Sequence, residues 1–556
     1  MRILAIFLAI LGVLPLAAQV SEPSAASEEF TAPWVGTRAY FNRVFKDPNP
    51  RVQLRAPSRL EDYLVDGKLE LSLKAYLELV MANNTDIEIQ RLSIEMPKNA
   101  IQRAFSVFDP LFNANFSATR SKTPAADQLA GAQTVSNLNQ PFSVGFQQLL
   151  PTGTQVSTNF GWTKTSTNSA FQVMNPAIRS NWRMGFTQPL MRNRGNEITK
   201  LQINIARSRL RSSEYNVEDQ IMRLLVQAEN AYWAVVEARE SLKVQEQGLA
   251  LADQSLKRTM RELELGATSQ LEVFQPQQTY ATAEIAVTQA RYRLAQAEDA
   301  LRRQMGADLD PRFRDVPIVL TESVLPPTDE ADFDKEKLVE LALSKRPDLL
   351  AARQALDVDD LNIKSASNSL RPQFDLVANY TTQGLGGNRF ERQFGDENPI
   401  LVSTGGFGSS LNQLFGFGFP VFNFGLQLQL PLRDRRASAD LADALVQKKL
   451  DALRVRQTEQ NIRLEVLNAI NQVENSRASV KLAQIAVDFA NKRLEADQKR
   501  YDLGTINIFF LLDAQRALIQ AQADLVQQSV QYRRNLLNLL QRTGQLFEER
   551  NIVLQH

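Results

Sequence analysis

Residues 258–306 read RTMRELELGATSQLEVFQPQQTYATAEIAVTQARYRLAQAEDALRRQMG, and residues 496–544 repeat the pattern as ADQKRYDLGTINIFFLLDAQRALIQAQADLVQQSVQYRRNLLNLLQRTG. The two stretches align without a gap, and identical residues coincide at Leu265/Leu503, Gly266/Gly504, Gln277/Gln515, Ala283/Ala521, Gln289/Gln527 and Gly306/Gly544. Self-similarity over this length indicates that one structural unit occurs twice in the chain.

Apolar residues recur every seven positions through the segments that precede the two aligned glycines. One row in the first copy is Ala228, Val235, Leu242, Leu249, Leu256 and Leu263, and its counterpart is Val466, Val473, Val480, Val487, Leu494 and Tyr501. A seven-residue period sustained over this length predicts long coiled-coil helices with left-handed supercoiling. A single helix from Asn196 to Leu265 would extend ~105 Å, and its many charges predict that it stands in water.

Gly266 and Gly504 interrupt the seven-residue pattern, and a second helical stretch then runs to Gly306 or Gly544. Glycine adopts the positive φ that a tight turn after a helix requires. We therefore predict two long antiparallel helical hairpins, with Gly266 and Gly504 in the turns at their tips.

The stretches in front of the hairpins also align, residues 73–112 with residues 335–374. Matched pairs are Glu78/Glu340, Asp86/Asp348, Arg91/Arg353, Pro110/Pro372 and Phe112/Phe374. Each stretch begins with an amphipathic pattern that stops near a proline, which predicts a helix at the start of each copy. Pro97 falls inside the first of these helices and predicts a kink or a break there.

Stretches in which apolar and polar residues alternate follow these helices, and further stretches of this kind precede the long helices. They are LFNANFSAT at 111–119, WRMGFTQPL at 182–190, QFDLVANYT at 373–381 and FGLQLQLPL at 424–432. Such alternation over about ten residues is typical of strands in a transmembrane β-barrel. Two strands in each copy predict four per chain, fewer than the ~8 of the smallest closed barrels. Because an open sheet edge does not survive in lipid, we expect several copies of the chain to share one barrel.

Polar, glycine-rich stretches at 120–141 and 384–420 connect the paired strands and are predicted to be outward loops. The first copy also contains SVGFQQLL at 143–150 and TQVSTNFGW at 154–162, on either side of a Pro-Thr-Gly turn signal. This pattern predicts an additional hairpin. It leaves open whether the hairpin joins the barrel or projects beyond it.

The composition excludes several classes of chemistry. The 556-residue chain has no Cys and a single His, His556, which excludes thiol chemistry, disulfides, a Cys or His metal cage and any His-based triad. The carboxylates lie mainly on charged heptad faces, so we expect no enzyme activity, no catalytic residue, no metal and no cofactor. The formal net charge is +1, with no long basic run, and nucleic acid is not an expected partner.

The chain begins MRILAIFLAILGVLPLAAQ, in which Arg2 precedes an apolar run and small residues precede Gln19. This layout predicts a secretory signal peptide over residues 1–18. No later stretch reaches the ~18 consecutive apolar residues of a membrane-spanning helix, so a membrane location would require strands. The predicted divisions that follow are an N-terminal extension at 19–68, a first repeat at 69–310, a linker at 311–332, a second repeat at 333–546 and a tail at 547–556.

The order of helix, strand, strand, long helix, glycine turn and helix, occurring twice after a signal peptide, resembles the TolC-like outer membrane efflux proteins. The most specific marks are LGATSQLEVFQPQ at 265–277 and YDLGTINIFFLLDAQ at 501–515. The resemblance implies an α+β membrane protein, a homotrimer with a shared twelve-stranded transmembrane β-barrel and a long periplasmic α-helical barrel. It also implies an exit duct set in outer-membrane lipid and docked to an inner-membrane pump through a periplasmic adaptor protein.

The resemblance also implies a gate at the periplasmic tips. In the family, a tyrosine three positions before the second glycine pairs with an acid six positions after the first, and these positions hold Tyr501 and Glu272. The two positions of a family aspartate ring hold Phe510 and Asp513, and Ile506 stands where a latch arginine is expected. The implied gate therefore has one acidic ring, from Asp513. The alternative is that Tyr501 continues the apolar row and that the acids are solvated surface charges.

A periplasmic coiled-coil adaptor or scaffold is the alternative function. It would explain export and the helical hairpins. It does not explain two hairpins in register with strand pairs at their opposite ends.

Overall fold

A computed structural model describes residues 35–45, 57–125, 131–170, 172–325, 333–391 and 400–553. The predicted signal peptide and parts of the predicted N-terminal extension and linker lie outside these residues. The helices are α1 Arg38–Phe45, α2 Leu73–Asn83, α3 Thr85–Ser93, α4 Glu95–Phe105, α5 Asn196–Thr199, α6 Leu201–Glu264, α7 Gln270–Gln304, α8 Lys335–Lys345, α9 Pro347–Ser369, α10 Phe407–Phe415, α11 Arg435–Asp502, α12 Ile508–Thr543 and α13 Leu546–Glu549. Within the described ranges, no helix has both the length and the apolar character needed to cross a membrane.

The strands form two sheets. They are β1 Leu64–Val65, β2 Lys68–Leu71, β3 Leu111–Phe116, β4 Thr119–Pro124, β5 Thr134–Leu149, β6 Gln155–Thr167, β7 Met174–Pro189, β8 Ile318–Leu320, β9 Gln373–Glu391, β10 Ile400–Ser403 and β11 Pro420–Gln429. The described residues divide into two compact units, one drawn from the ranges 98–209 and 356–450 and one drawn from the ranges 36–97, 210–355 and 451–553. The first unit contains the large sheet, and the second contains the small sheet β1–β2–β8 and most of the helical residues.

The large sheet has the order β10–β9–β7–β6–β5–β3, with β11 also paired to β9 and β4 also paired to β5. β3 and β4 follow one another along β5, and β11 and β10 follow one another along β9, so the sheet is six strands wide. All of these neighbours are antiparallel. The four segments predicted from alternation overlap β3, β7, β9 and β11, although 111–119 extends to the start of β4 and 424–432 extends beyond the end of β11 at Gln429.

The prediction of four strands per chain is wrong, because the additional hairpin joins the sheet. β5 and β6 pair continuously from Asn137 opposite Thr167 to Leu149 opposite Gln155. β5 then pairs with β3, and β6 pairs with β7. Most of the described part of the predicted loop at 120–141 is therefore strand rather than loop.

The two faces of the large sheet differ in polarity. Directly opposed residues share a face, and one row across all six strands is Phe112, Phe146, Thr158, Met184, Tyr380 and Phe422. The adjacent row on the other face is Asn113, Gly145, Asn159, Arg183, Thr381 and Val421. The apolar face is open along β11, where Phe422, Phe424 and Leu426 are 77%, 74% and 61% exposed. One face is thus mainly apolar, and the opposite face is mainly uncharged and polar.

The helix α10 lies on the apolar face, where an outward loop was predicted at 384–420. Ser410 Oγ lies 2.6 Å from Ser180 Oγ and donates to the carbonyl oxygen of Gly384 over 3.1 Å. A Cβ at Gly384 would lie 2.0 Å from the Ser410 carbonyl oxygen, and one at Gly386 would lie 2.3 Å from that of Gly406. Glycine at both positions therefore permits the helix to touch the strand backbone.

In the helical unit, the bounds of the elements follow the alignment of the two sequence copies. α2 and α8 each contain 11 residues and begin after a capping side chain, Ser72 accepting from the Ala75 amide and Asp334 from the Lys337 amide. The break predicted at Pro97 is confirmed: the first copy has α3 and α4, separated at Ile94, where the second has the continuous α9. Pro97 is tolerated in the first turn of α4 because an amide there lacks an intrahelical partner.

The core of this unit gathers residues from the small sheet, the N-terminal helices, the long helices and the C-terminal segment. Tyr76 and Tyr232 are both fully buried, with ring centroids 5.6 Å apart. The predicted linker at 311–332 contributes β8, which pairs in parallel with β2. The predicted tail is also anchored, because Arg550 donates to both carboxylate oxygens of Glu229 over 2.6 and 3.0 Å.

Arg550→Ala should lower the stability of the helical unit on the order of 3 kcal/mol, since Glu229 is 1% exposed and would lose its ion-pair partner. Thermal unfolding followed by circular dichroism measures the loss. Lys257→Ala is the control, because it removes an exposed ion pair with Asp253 and should leave the midpoint nearly unchanged. Equal midpoints for the two variants would contradict the structural role of Glu229.

Candidate functional site

The candidate site lies at the tips of the two helical hairpins. Gly266 and Gly504 have φ values of +71° and +67°. The amide of the residue after each glycine donates a hydrogen bond to the carbonyl oxygen five residues earlier. Ala267 N donates to the Glu262 carbonyl over 2.8 Å, and Thr505 N donates to the Arg500 carbonyl over 3.0 Å. These bonds form the same C-terminal capping motif in both copies. The structure thus places the two predicted glycines in equivalent helix-ending turns.

The Tyr501 side chain forms a hydrogen bond between the two hairpins, but its acceptor is a different acid from the one predicted. Its hydroxyl donates to Glu262 Oε2 over 2.9 Å. Glu272 instead accepts a hydrogen bond from the Thr268 hydroxyl, within its own tip. The predicted pairing of Tyr501 with Glu272 is therefore wrong: the acid lies in the last turn of α6 rather than in the first turn of α7.

Arg258 is the central residue of this tip cluster, and sequence reasoning missed it. Its guanidinium bonds to Glu262 Oε1 at 3.0 Å and to Asp502 Oδ1, and its Cζ lies 4.6 Å from the centre of the Tyr501 ring. We define Arg258, Glu262, Tyr501 and Asp502 as the tip cluster. The available signal was the four-residue spacing of Arg258 and Glu262, which places opposite charges on one helix face.

The tip cluster shifts the pKa values of its members. Partial burial, followed by the hydrogen bond to Glu262, raises the pKa of Tyr501 to about 12. The bond to the Arg258 guanidinium lowers the pKa of the Asp502 carboxyl. The contribution of Tyr501 to the stability of the fold is therefore fully present below the ordinary tyrosine pKa of ~10 and is lost as pH rises through the raised pKa. At neutral pH, Tyr501 is a neutral donor and Asp502 a charged acceptor.

Asp513 and Phe510 lie in α12, beyond the second tip turn. Asp513 Oδ2 lies 2.7 Å from Arg493 Nη2, and the Arg493 Nε lies 3.5 Å from Asp497 Oδ2. The Phe510 side chain is 52% exposed and packs edge-on against Phe509. The predicted acidic position is therefore ion-paired within its own chain, and the nearby Phe510 ring is half exposed.

A buried polar contact provides a second link between the two copies. Ser255 in α6 and Gln515 in α12 exchange side-chain hydrogen bonds of 3.1 and 3.2 Å. Below the second tip turn, Ile508, Leu511 and Leu512 form a small apolar cluster with Leu494 and Tyr501. Across the described residues, no group of three or more acidic or histidine side chains is arranged to hold a metal ion.

Comparison with known proteins gives consistent matches over most of the chain. A family model described as outer membrane efflux protein matches residues 77–307 and 338–545. The outer membrane protein TolC of Vibrio cholerae is 23% identical over 349 residues, which cover 62% of this chain and 72% of that protein. The outer membrane efflux protein BepC of Brucella suis is 22% identical over 475 residues, which cover 84% of each.

A solved structure supports the same fold. The outer membrane protein VceC of Vibrio cholerae superposes with a TM-score of 0.59 at 16% sequence identity, covering 85% of this chain and 96% of that one. At this identity the likeness concerns the fold.

Gly504→Ala should loosen the second tip, because a side chain at this φ costs about 1–2 kcal/mol. No atom lies within 4 Å of an added Cβ, so the cost is conformational rather than steric. Hydrogen–deuterium exchange of the amides around the turn should quicken. Gly504→Asn should exchange more slowly than Gly504→Ala, because asparagine tolerates this region better. Equal exchange in the two variants would contradict this explanation.

Proposed function

The chain belongs to the outer membrane efflux protein family, and from this we propose that it is the outer-membrane exit duct of an efflux system. In this role it is a passive conduit with a helical tunnel in the periplasm and has no catalytic step of its own. The observation that carries the proposal is the six-strand sheet with one apolar and one polar face. An apolar face turned to lipid and a polar face turned to a water-filled lumen are what a membrane pore requires.

The sheet edges support assembly with further copies of the chain. β3 and β4 at one edge and β10 and β11 at the other have no outer partner among the described strands. Edge amides and carbonyls left unpaired in hydrocarbon would each cost several kcal/mol. Because the six strands alternate in direction, the first strand of one copy can pair antiparallel with the last strand of the next. We propose three copies, the number that the family resemblance implies.

The proposed partners are a periplasmic adaptor protein and an inner-membrane pump. Outer membrane factors of efflux pumps work with both classes of protein. The hairpin tips are the proposed end of the duct that faces them. The adaptor function is not supported for this chain, because a coiled-coil adaptor does not require a wide sheet with one apolar face.

We propose that the tip cluster holds the periplasmic entrance closed. It connects the end of α6 in the first copy with the end of α11 in the second, so the two hairpins cannot separate without breaking it. Its ion pairs are partly solvent-exposed, with 38% exposure for the Arg258 side chain, and pairs of this kind contribute about 0.2–1 kcal/mol. A closure of this strength can be opened by the binding energy of a docked partner.

We propose Asp513 and Phe510 as the lining of the entrance constriction. Three Asp513 carboxylates around one axis would attract cations. Arg493 lies beside each of them, so the ring carries less net charge than three free carboxylates would. The exposed Phe510 ring places apolar surface next to this ring.

Arg258→Ala should raise the single-channel conductance of the purified protein in planar bilayers several-fold, because it removes three contacts of the tip cluster at once. Tyr501→Phe should give a smaller rise, since the ring stays and only the bond to Glu262 is lost. Glu272→Gln is the matched control and should conduct like the parent. Raising the pH from neutral to mildly alkaline should not open the parent, because Tyr501 keeps its proton. If the parent conducts and Arg258→Ala leaves its conductance unchanged, the tip cluster is not the gate. If the protein never conducts, it is not a duct.

Asp513→Asn and Arg493→Ala should change ion selectivity in opposite directions. The first removes the carboxylate and should lower the preference for cations. The second leaves the carboxylate without its counter-charge and should raise that preference. Reversal potentials under a salt gradient measure both, and a shift of the same sign in the two variants would contradict the proposed constriction.

A further inference from the structure

We infer that the β5–β6 hairpin crosses the outer membrane as part of the duct wall, so that each chain of the assembly contributes six strands. A ring of three copies then has eighteen strands, rather than the twelve that the family resemblance implies. This inference rests on the proposed function and adds the width of the pore at the membrane.

The length and pairing of the hairpin suit a membrane wall. β5 has 16 residues and β6 has 13, whereas a transmembrane strand needs ~9–11. β6 pairs with β7 from Gln155 opposite Thr187 to Thr165 opposite Ala177. Removing the hairpin from the sheet would leave β3 and β7 with unpaired edges facing each other.

The polarity of the hairpin continues that of its neighbours. Phe142, Val144 and Phe146 of β5 lie on the apolar face, together with Val156 and Phe160 of β6. Residues of the opposite face are Ser143, Gln147, Ser157, Asn159 and Thr163. A hairpin that projected into water would have no reason to carry five large apolar residues on the face that continues a lipid-facing surface.

The closed end of the hairpin is fixed where β7 ends and α5 begins. The Thr152 carbonyl accepts a hydrogen bond from the Gly195 amide over 3.1 Å. Gly153 has a φ of +88°, and a Cβ there would lie 2.5 Å from the Asn193 carbonyl oxygen. The hairpin therefore returns at this end of the sheet and adds two strands without adding a helix.

The consequence is a wide exit. Barrel diameter grows roughly linearly with strand number, so eighteen strands give a barrel about half as wide again as twelve. Barrels of 16–18 strands leave an aqueous channel. The extra strands line this channel with uncharged polar side chains. Selection by size or charge would then take place at the hairpin tips and not at the membrane.

Cysteine accessibility tests the inference, because the chain has no cysteine of its own. Single variants Ser157→Cys and Val156→Cys probe the two faces of the hairpin, and Gln427→Cys and Leu426→Cys probe those of β11. Full-length protein in lipid vesicles is treated with a membrane-impermeant maleimide. We expect labelling of the variants at Ser157 and Gln427, and at least ten-fold less at Val156 and Leu426.

The pattern of labelling separates the possible failures. If the two β11 variants are labelled differently but the two hairpin variants are labelled equally, the six-strand wall is contradicted and the proposed duct is not. Alternation in β11 with no labelling of either hairpin variant would also overturn the six-strand wall, because the hairpin would then be packed away from the lumen. Equal labelling of all four variants would contradict the proposed function itself.

Discussion

The constraint on which the rest of this structure depends is the hydrogen bonding of a sheet edge in hydrocarbon. The large sheet has one apolar face, which favours lipid, and two edges whose backbone groups need partners that lipid does not provide. A single chain cannot meet both conditions. Further chains can meet both conditions. Because each large sheet has an even number of strands of alternating direction, the edge strands of two neighbouring chains run in opposite directions and can pair. Pairing between chains would satisfy these edge groups and would enclose a lumen lined by the polar face.

The two sequence copies build similar backbones and different tips. The end of the long helix, the glycine turn and the start of the returning helix occur at equivalent positions in both copies. The tip cluster, however, takes Arg258 and Glu262 from the first copy and Tyr501 and Asp502 from the second. Ala496 and Arg500 stand at the second-copy counterparts of Arg258 and Glu262. The two hairpins therefore supply different and complementary residues to one contact.

Much of this fold could be predicted from the sequence because its signals are local. The glycine turns, the helix break at Pro97 and the four strands with strong alternation depend on residues within a few positions of one another. The place of the β5–β6 hairpin depends on pairing with β3 and β7, which the hairpin sequence does not encode by itself. Its first residues, TVSNLNQP, are also too polar to stand out as a strand. The helix α10 was missed because glycines at its contact with β9 suggested a loop.

The partner of Tyr501 illustrates the limit for the site. A seven-residue pattern assigns Tyr501 to the face of its helix that meets a neighbour, but it does not fix the axial shift between the helices. That shift decides whether Glu262 or Glu272 is within reach. The Arg493–Asp513 pair depends in the same way on how α11 and α12 are aligned.

Electron cryomicroscopy of the full-length protein in lipid nanodiscs would show how the edges of the large sheet are paired. We expect a closed ring in which β3 and β4 of each chain pair with β10 and β11 of the next, with the apolar face against lipid and six strands from each chain. A sheet whose edges remain unpaired in lipid, or copies joined only through their helices, would contradict it.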